Sequence, residues 1–254
     1  KTLKQVRAGR LVYAVVYSTP SASDPPQTRA QKQRASTAGG EKLNARTSFQ
    51  KLERTLAANF DNGDLYLTLT YDDKHLPEDR EAAIRRIRSF LSKLREGRKT
   101  RGQLLHYIYV TEGCGPGGRL HHHVVLNGTG DDLEEIRRLW IYGDNIEVRR
   151  LTIDSDHTYE DLASYLTKEP REWGHPQVGE RTWTPSLGLA RPEPQTESVP
   201  DYVTLTAPPG AIAIQVEGPV RNGYGEYTWM KYMLPRQPGR KKPRAKRRRR
   251  RPKE

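Results

Sequence analysis

Three consecutive histidines, His121-His122-His123, sit in the β-like run RLHHHVVLN at 119–127. In a strand, residues two apart share a face, so His121 and His123 project together about 7 Å apart along the chain, a spacing that can grip one metal ion. His122 points the other way. Glu112 closes the preceding predicted strand and can add a hard oxygen ligand from across a Gly-rich turn. Strict alternation groups it with Ile108 and Val110, so its direction depends on the turn or a bulge. Two imidazoles and a carboxylate leave open coordination positions, which a catalytic metal needs and a structural one does not. Three histidines in a row fit a surface cluster equally well. The second feature is Tyr165 with Lys168, three residues apart and so on neighbouring parts of one helical face. A phenol with a pKa near 10 is a poor nucleophile at neutral pH, and a nearby ammonium favours the phenolate or offsets charge at phosphorus. Taken alone, a packing tyrosine and a solvated lysine account for the pair just as well.

Regular elements must position these groups. LYLTLTY (65–71) alternates strictly, with Leu65, Leu67, Leu69 and Tyr71 on one face and Tyr66, Thr68 and Thr70 on the other. Pro77 opens a helix whose Ile84, Ile87, Leu91 and Leu94 form an apolar stripe. LLHYIYVTE (104–112) and RLHHHVVLN pair as a hairpin through GCGPGG (113–118). A short helix over 131–140, a strand over 145–153 and a helix over 159–169 stopped by Pro170 complete the core. Upstream, 11–17 reads as a strand, 18–40 as a mobile loop and 41–60 as a helix. Downstream, 170–210 is Pro-rich and irregular, while 211–216 and 224–234 add strands or a short helix. The economical fold is α+β: a mainly antiparallel sheet with helices packed on one face, of ferredoxin or RNA-recognition-like topology.

Composition narrows the setting. The 254 residues carry 44 Lys and Arg against 31 Asp and Glu, a net charge of +13, which attracts polyanions. Eleven of those basic residues crowd between Arg240 and Lys253, a run that reads as a solvated, disordered tail. The one cysteine, Cys114, excludes an internal disulfide and a Cys-rich zinc module. No apolar stretch approaches the ~20 residues that span a bilayer, and no signal-peptide pattern opens the chain, so a soluble, cytoplasmic protein without a membrane partner is expected. Lys1 stands first rather than Met, so a few residues are expected to precede it.

YLTLTYDD (66–73), GRLHHHVVL (118–126) and YLTK (165–168) resemble, in order and spacing, the three motifs of the HUH endonucleases. The likeness covers roughly residues 65–169 and is nearest to the replication initiators of single-stranded DNA phages, rolling-circle plasmids and integrated elements. RTSFQKLERTLAANFDNGDLYLTLTY also resembles the lead-in to the first motif in bacterial mobile elements. The resemblance implies His121 and His123 as ligands of Mg²⁺ or Mn²⁺, Glu112 as a third ligand, Tyr165 as the nucleophile and Lys168 as its electrostatic helper. It implies Thr68 and Thr70 as positioning groups bordering the site. It further implies single-stranded DNA or an origin hairpin as substrate, a 5′-phosphotyrosyl intermediate, a bacterial cytoplasm and a host polymerase and helicase as partners. Arg119 and the tail residues Lys241, Lys242, Arg247 and Arg248 are the basic groups expected on phosphates.

Two positions depart from the pattern. The residue between the ligand histidines is usually hydrophobic and here is His122, and the place of a second tyrosine one turn after Tyr165 is taken by Glu169. A single-tyrosine enzyme follows. Two other readings stay open: a relaxase or single-tyrosine transposase with the same chemistry, and a non-catalytic RNA-recognition-like binding module, for which Tyr107 and Tyr109 would be the stacking aromatics. The expected organisation is an N-terminal strand and loop (1–40), an endonuclease core (41–169), an insertion with strands completing the domain (170–235) and the tail (236–254).

Overall fold

The structure, a computed structural model, describes residues 1–18, 38–113, 118–154, 157–167, 182–222 and 225–236. Ten strands form two five-stranded antiparallel sheets, and four helices pack around them. The α+β class read from the sequence is the class observed.

The sheet that holds the histidines contains β3 (Leu65–Thr70), β4 (Tyr107–Glu112), β5 (His121–Leu126), β6 (Ile146–Arg150) and β7 (Thr184–Pro185), in the order β6-β3-β5-β4-β7. Strict alternation in β3 sends Leu65, Leu67 and Leu69 to one face. There they meet Ala83, Ile87, Phe90, Leu91 and Leu94 of α2 (Arg80–Thr100) and Ile136 of α3 (Asp132–Leu139). Helix α2 begins three residues later than Pro77 suggests, because the Asp79 carboxylate accepts from the Ala82 N–H and caps it there. At its far end Arg98 is fully buried and donates to Asn127 Oδ1 (2.9 Å) and Asp132 Oδ1 (2.8 Å), tying α2 to α3 and to the end of β5.

The opposite face is also covered by helices, whereas a one-sided helix layer was expected. Tyr66, Ile108, Val110 and Val125 pack in one core with Leu52 and Leu56 of α1 (Ala38–Asn59) and with Tyr159, Ala163 and Leu166 of α4 (Tyr159–Leu166). That helix layer is shared with a second sheet: β1 (Thr2–Ala8), β2 (Leu11–Ser18), β8 (Pro194–Ser198), β9 (Ile212–Asn222) and β10 (Gly225–Met233), in the order β8-β1-β2-β10-β9. Helix α1 therefore buries two sides. Leu52 and Leu56 lie in the apolar core, while Glu53, 1% exposed, accepts from Tyr13 of β2 and from Lys231 Nζ of β10 (3.2 Å). Lys231 also pairs with Glu160 of α4, so one buried cation joins both helices to the second sheet.

Candidate metal centre and its tyrosine

Register decides which side chains meet. In the ladder, Glu112 lies opposite His121 and His121 opposite Thr70; one row along, Val110, His123, Thr68 and Glu147 line up; in the next stand Ile108, Val125, Tyr66 and Arg149. Directly opposed residues share a face. The Ile108–Val110–Glu112 face is thus the His121–His123 face, and no bulge is needed to bring the carboxylate round.

The three groups converge. Glu112 Oε2 is 3.3 Å from His123 Nε2 and 3.7 Å from His121 Nε2, and the two Nε2 atoms are 3.1 Å apart. Outer contacts orient both rings. His121 Nδ1 donates to the Arg119 carbonyl (2.9 Å), which leaves its Nε2 with a lone pair aimed at the cluster. His123 Nδ1 meets the Tyr66 hydroxyl at 2.5 Å, with Thr68 Oγ1 at 3.4 Å. A proton kept on that Nδ1 frees its Nε2 in the same way. Burial, then the neighbouring Tyr165, push the Tyr66 phenol above its ordinary range, so it serves as a neutral partner.

Three acceptors crowded this way repel one another unless a cation sits among them. Glu112 adds a second sign: its Oε1 is buried and has no hydrogen-bond partner among the described residues. The donor set, two imidazoles and a carboxylate within 4.8 Å of one another, fits a divalent metal with open positions. Gly113 makes the local backbone possible. Its φ is +83°, and a Cβ there would stand 2.0 Å from the Arg119 carbonyl oxygen that orients His121.

His122 faces the other helix layer and is fully buried. The Tyr71 hydroxyl donates to its Nε2 (2.6 Å), and its Nδ1 donates to Thr111 Oγ1 (3.0 Å). Burial, with His121 and His123 nearby, pushes its pKa down to about 3, so the ring is neutral at pH 7. The polar residue at a usually hydrophobic place is therefore satisfied within the core.

Tyr165 lies beside the ligands. Its ring stands edge-on to His123 at 5.2 Å and to Tyr66 at 5.8 Å, and it remains 53% exposed. A capping box fixes the start of its helix: Asp161 Oδ2 accepts from the Thr158 N–H (2.8 Å), and the Asp161 N–H returns a bond to Thr158 Oγ1. Tyr159, the other tyrosine of α4, is buried and donates to the Phe60 carbonyl (2.9 Å), which makes it a core residue.

The remaining sequence candidates divide. Thr68 borders His123, while the Thr70 hydroxyl donates to the Asn145 carbonyl (2.7 Å). The Arg119 guanidinium is turned to Asp73 (2.8 Å) and to the Tyr71 carbonyl (2.8 Å), clamping β3 to the hairpin rather than facing the cluster. Lys168, Lys241, Lys242, Arg247 and Arg248 lie outside the described residues. Tyr107 and Tyr109 are buried among the residues under α2, so the exposed aromatic pair of an RNA-recognition-like surface is not formed by them. Tyr66 is the site residue that sequence reasoning passed over. Its place on the Thr68 face was visible in the alternation; its contact with both a ligand and Tyr165 required the register. Among the described residues no helix is long and apolar enough to cross a membrane.

Residues 64–170, the stretch from β3 through α4, match the family model of the ORF2-type replication-associated proteins. That match associates the whole candidate centre with replication proteins. Among solved structures, the crystal structure of the hypothetical protein ORF119 from Sulfolobus islandicus rod-shaped virus 1 is similar at 12% identity and a TM-score of 0.33. The alignment covers 52% of this chain and 99% of that one. No curated protein matches the sequence.

Proposed function

We propose that residues 64–170 form an HUH-type, metal-dependent, tyrosine-nucleophile DNA-nicking site that starts rolling-circle replication. The observation that carries this reading is the placement of an exposed tyrosine ring against one of three convergent ligands. Glu112, His121 and His123 would hold the ion, Mg²⁺ or Mn²⁺, which when bound supplies a Lewis acid for a phosphate oxygen. Thr68 and Tyr66 keep His123 turned toward the cluster, and the Arg119 carbonyl does the same for His121.

The Tyr165 oxygen forms a bond to phosphorus in line as the P–O3′ bond breaks. The phenol proton passes to solvent and the departing 3′ oxygen takes one up. The products are a 5′-phosphotyrosyl link and a free 3′-OH for a host polymerase, with a host helicase opening the duplex ahead. Phosphodiester energy is kept in the link, so the reverse reaction rejoins ends. Lys168 is the ammonium proposed to offset charge, and the tail lysines and arginines hold the strand non-specifically.

The test uses Mn²⁺ and single-stranded oligonucleotides spanning the DNA that flanks the gene, followed by denaturing electrophoresis. A covalent protein–DNA adduct is expected, absent in Tyr165→Phe and in excess chelator. An adduct that persists in either condition overturns the assignment.

A further inference from the structure

Strand β6 forms one edge of the site sheet, and it brings a charge pair to the face that carries the ligands. Glu147 is opposite Thr68, in the row of His123, and Arg149 is opposite Tyr66, in the row next to it. Both side chains project on that face and remain open to solvent, the Arg149 side chain 70% and the Glu147 side chain 45% exposed. Arg149 Nε donates to Glu147 Oε1 at 2.7 Å and its Nη2 to the same oxygen, which holds the guanidinium beside the cluster. Tyr66 lies between: its ring meets both His123 and Tyr165, and Arg149 is its neighbour across the ladder. Glu112 and His123 are buried while β6 is open, so a strand of DNA reaches the ligands from the β6 side.

We propose that Arg149 is a phosphate-binding residue of the site, gripping the backbone of single-stranded DNA beside Tyr165, and that Glu147 occupies it until DNA arrives. The assignment rests on the nicking reading above. Guanidinium suits the task because its fixed fork of donors matches phosphate oxygens, and it stays charged at every working pH. Glu147 gives the arrangement its sign. A carboxylate on the same guanidinium competes with phosphate, so removing the acid strengthens DNA binding and removing the base weakens it. A pair that only braced the edge strand would respond alike to loss of either partner.

The experiment measures anisotropy of a labelled single-stranded oligonucleotide against the full chain over a salt series. Wild type, Arg149→Gln, Arg149→Lys and Glu147→Gln are compared, with thermal melts to show that each is folded. Arg149→Gln is expected to bind several-fold more weakly and to lower the magnitude of the log Kd against log salt slope by about 0.7, one single-strand phosphate contact. Arg149→Lys recovers the slope but only part of the affinity, and Glu147→Gln binds more tightly than wild type. An unchanged slope in Arg149→Gln, or weaker binding in Glu147→Gln, overturns the proposal. If the Arg149 effects appear while wild type forms no adduct with Mn²⁺, the phosphate contact stands and the nicking chemistry falls.

Discussion

Tyr66 joins the groups that the proposed reaction needs. Its hydroxyl meets His123 Nδ1, its ring stacks on that imidazole at 5.6 Å, and Tyr165 stands edge-on to it. Removing the hydroxyl leaves the ring contacts and takes away the partner that fixes the His123 tautomer. Outer partners of this kind typically set about 10–100-fold in metal affinity. Tyr66→Phe is therefore expected to weaken Mn²⁺ binding by at least about tenfold in a calorimetric titration, with an unchanged melting temperature in the absence of metal. Equal affinity in the variant would mean that Thr68 suffices to orient the ring. Arg119 teaches the opposite lesson: its side chain serves the fold, and its carbonyl serves the site.

Helices α2 and α3 are joined by a buried ion pair, and the cost of breaking it is legible in its surroundings. Burial works to raise the Asp132 carboxyl, but the Thr129 hydroxyl and N–H, the Arg98 guanidinium and the Gly130 N–H outweigh it and hold the group below the usual carboxylate range. A carboxyl lowered on folding contributes stability above its unfolded pKa, about 3.9, and loses it as pH falls through the folded value. Asp132→Asn leaves Arg98 buried without its counter-charge, and should lower the unfolding free energy at pH 7 by about 3 kcal/mol in urea denaturation. Its stability should also fall less than that of wild type as pH drops below about 4. An equal acid slope in both proteins would place the sensitive carboxyl elsewhere. At this scale the elements from β3 to α4 were readable because their apolar residues follow period 2 or 3.6. Strand β8 was not, since every residue from Pro194 to Ser198 is exposed and its pairing with β1 leaves no hydrophobic trace. Glu112 was readable as a ligand type but not as a direction, because only the β4–β5 register settles the face. The second helix layer was hidden for a related reason: α1 and α4 read as ordinary one-sided helices until a second sheet supplies the other wall.

The whole chain combines a folded part with a basic run from Arg240 to Lys253 that holds eleven of its 44 Lys and Arg residues. Each tail residue engaged on a single-strand phosphate adds about 0.7 to the salt slope. Deleting residues 240–254 should therefore flatten that slope while leaving the yield of adduct at saturating DNA and low salt unchanged. A slope that survives the deletion would assign the tail to another partner. The folded part carries a consequence of its own. Strand β2 pairs with β10, Leu11 opposite Met233, and Lys231 on β10 is the cation that grips Glu160 on the helix of Tyr165. Synthesis runs from the N-terminus, so both histidines, Glu112 and Tyr165 leave the ribosome well before Lys231 does. A growing chain thus carries every reactive group ahead of the anchor for its helix, and the nucleophile is locked in place only by a strand made after all of them.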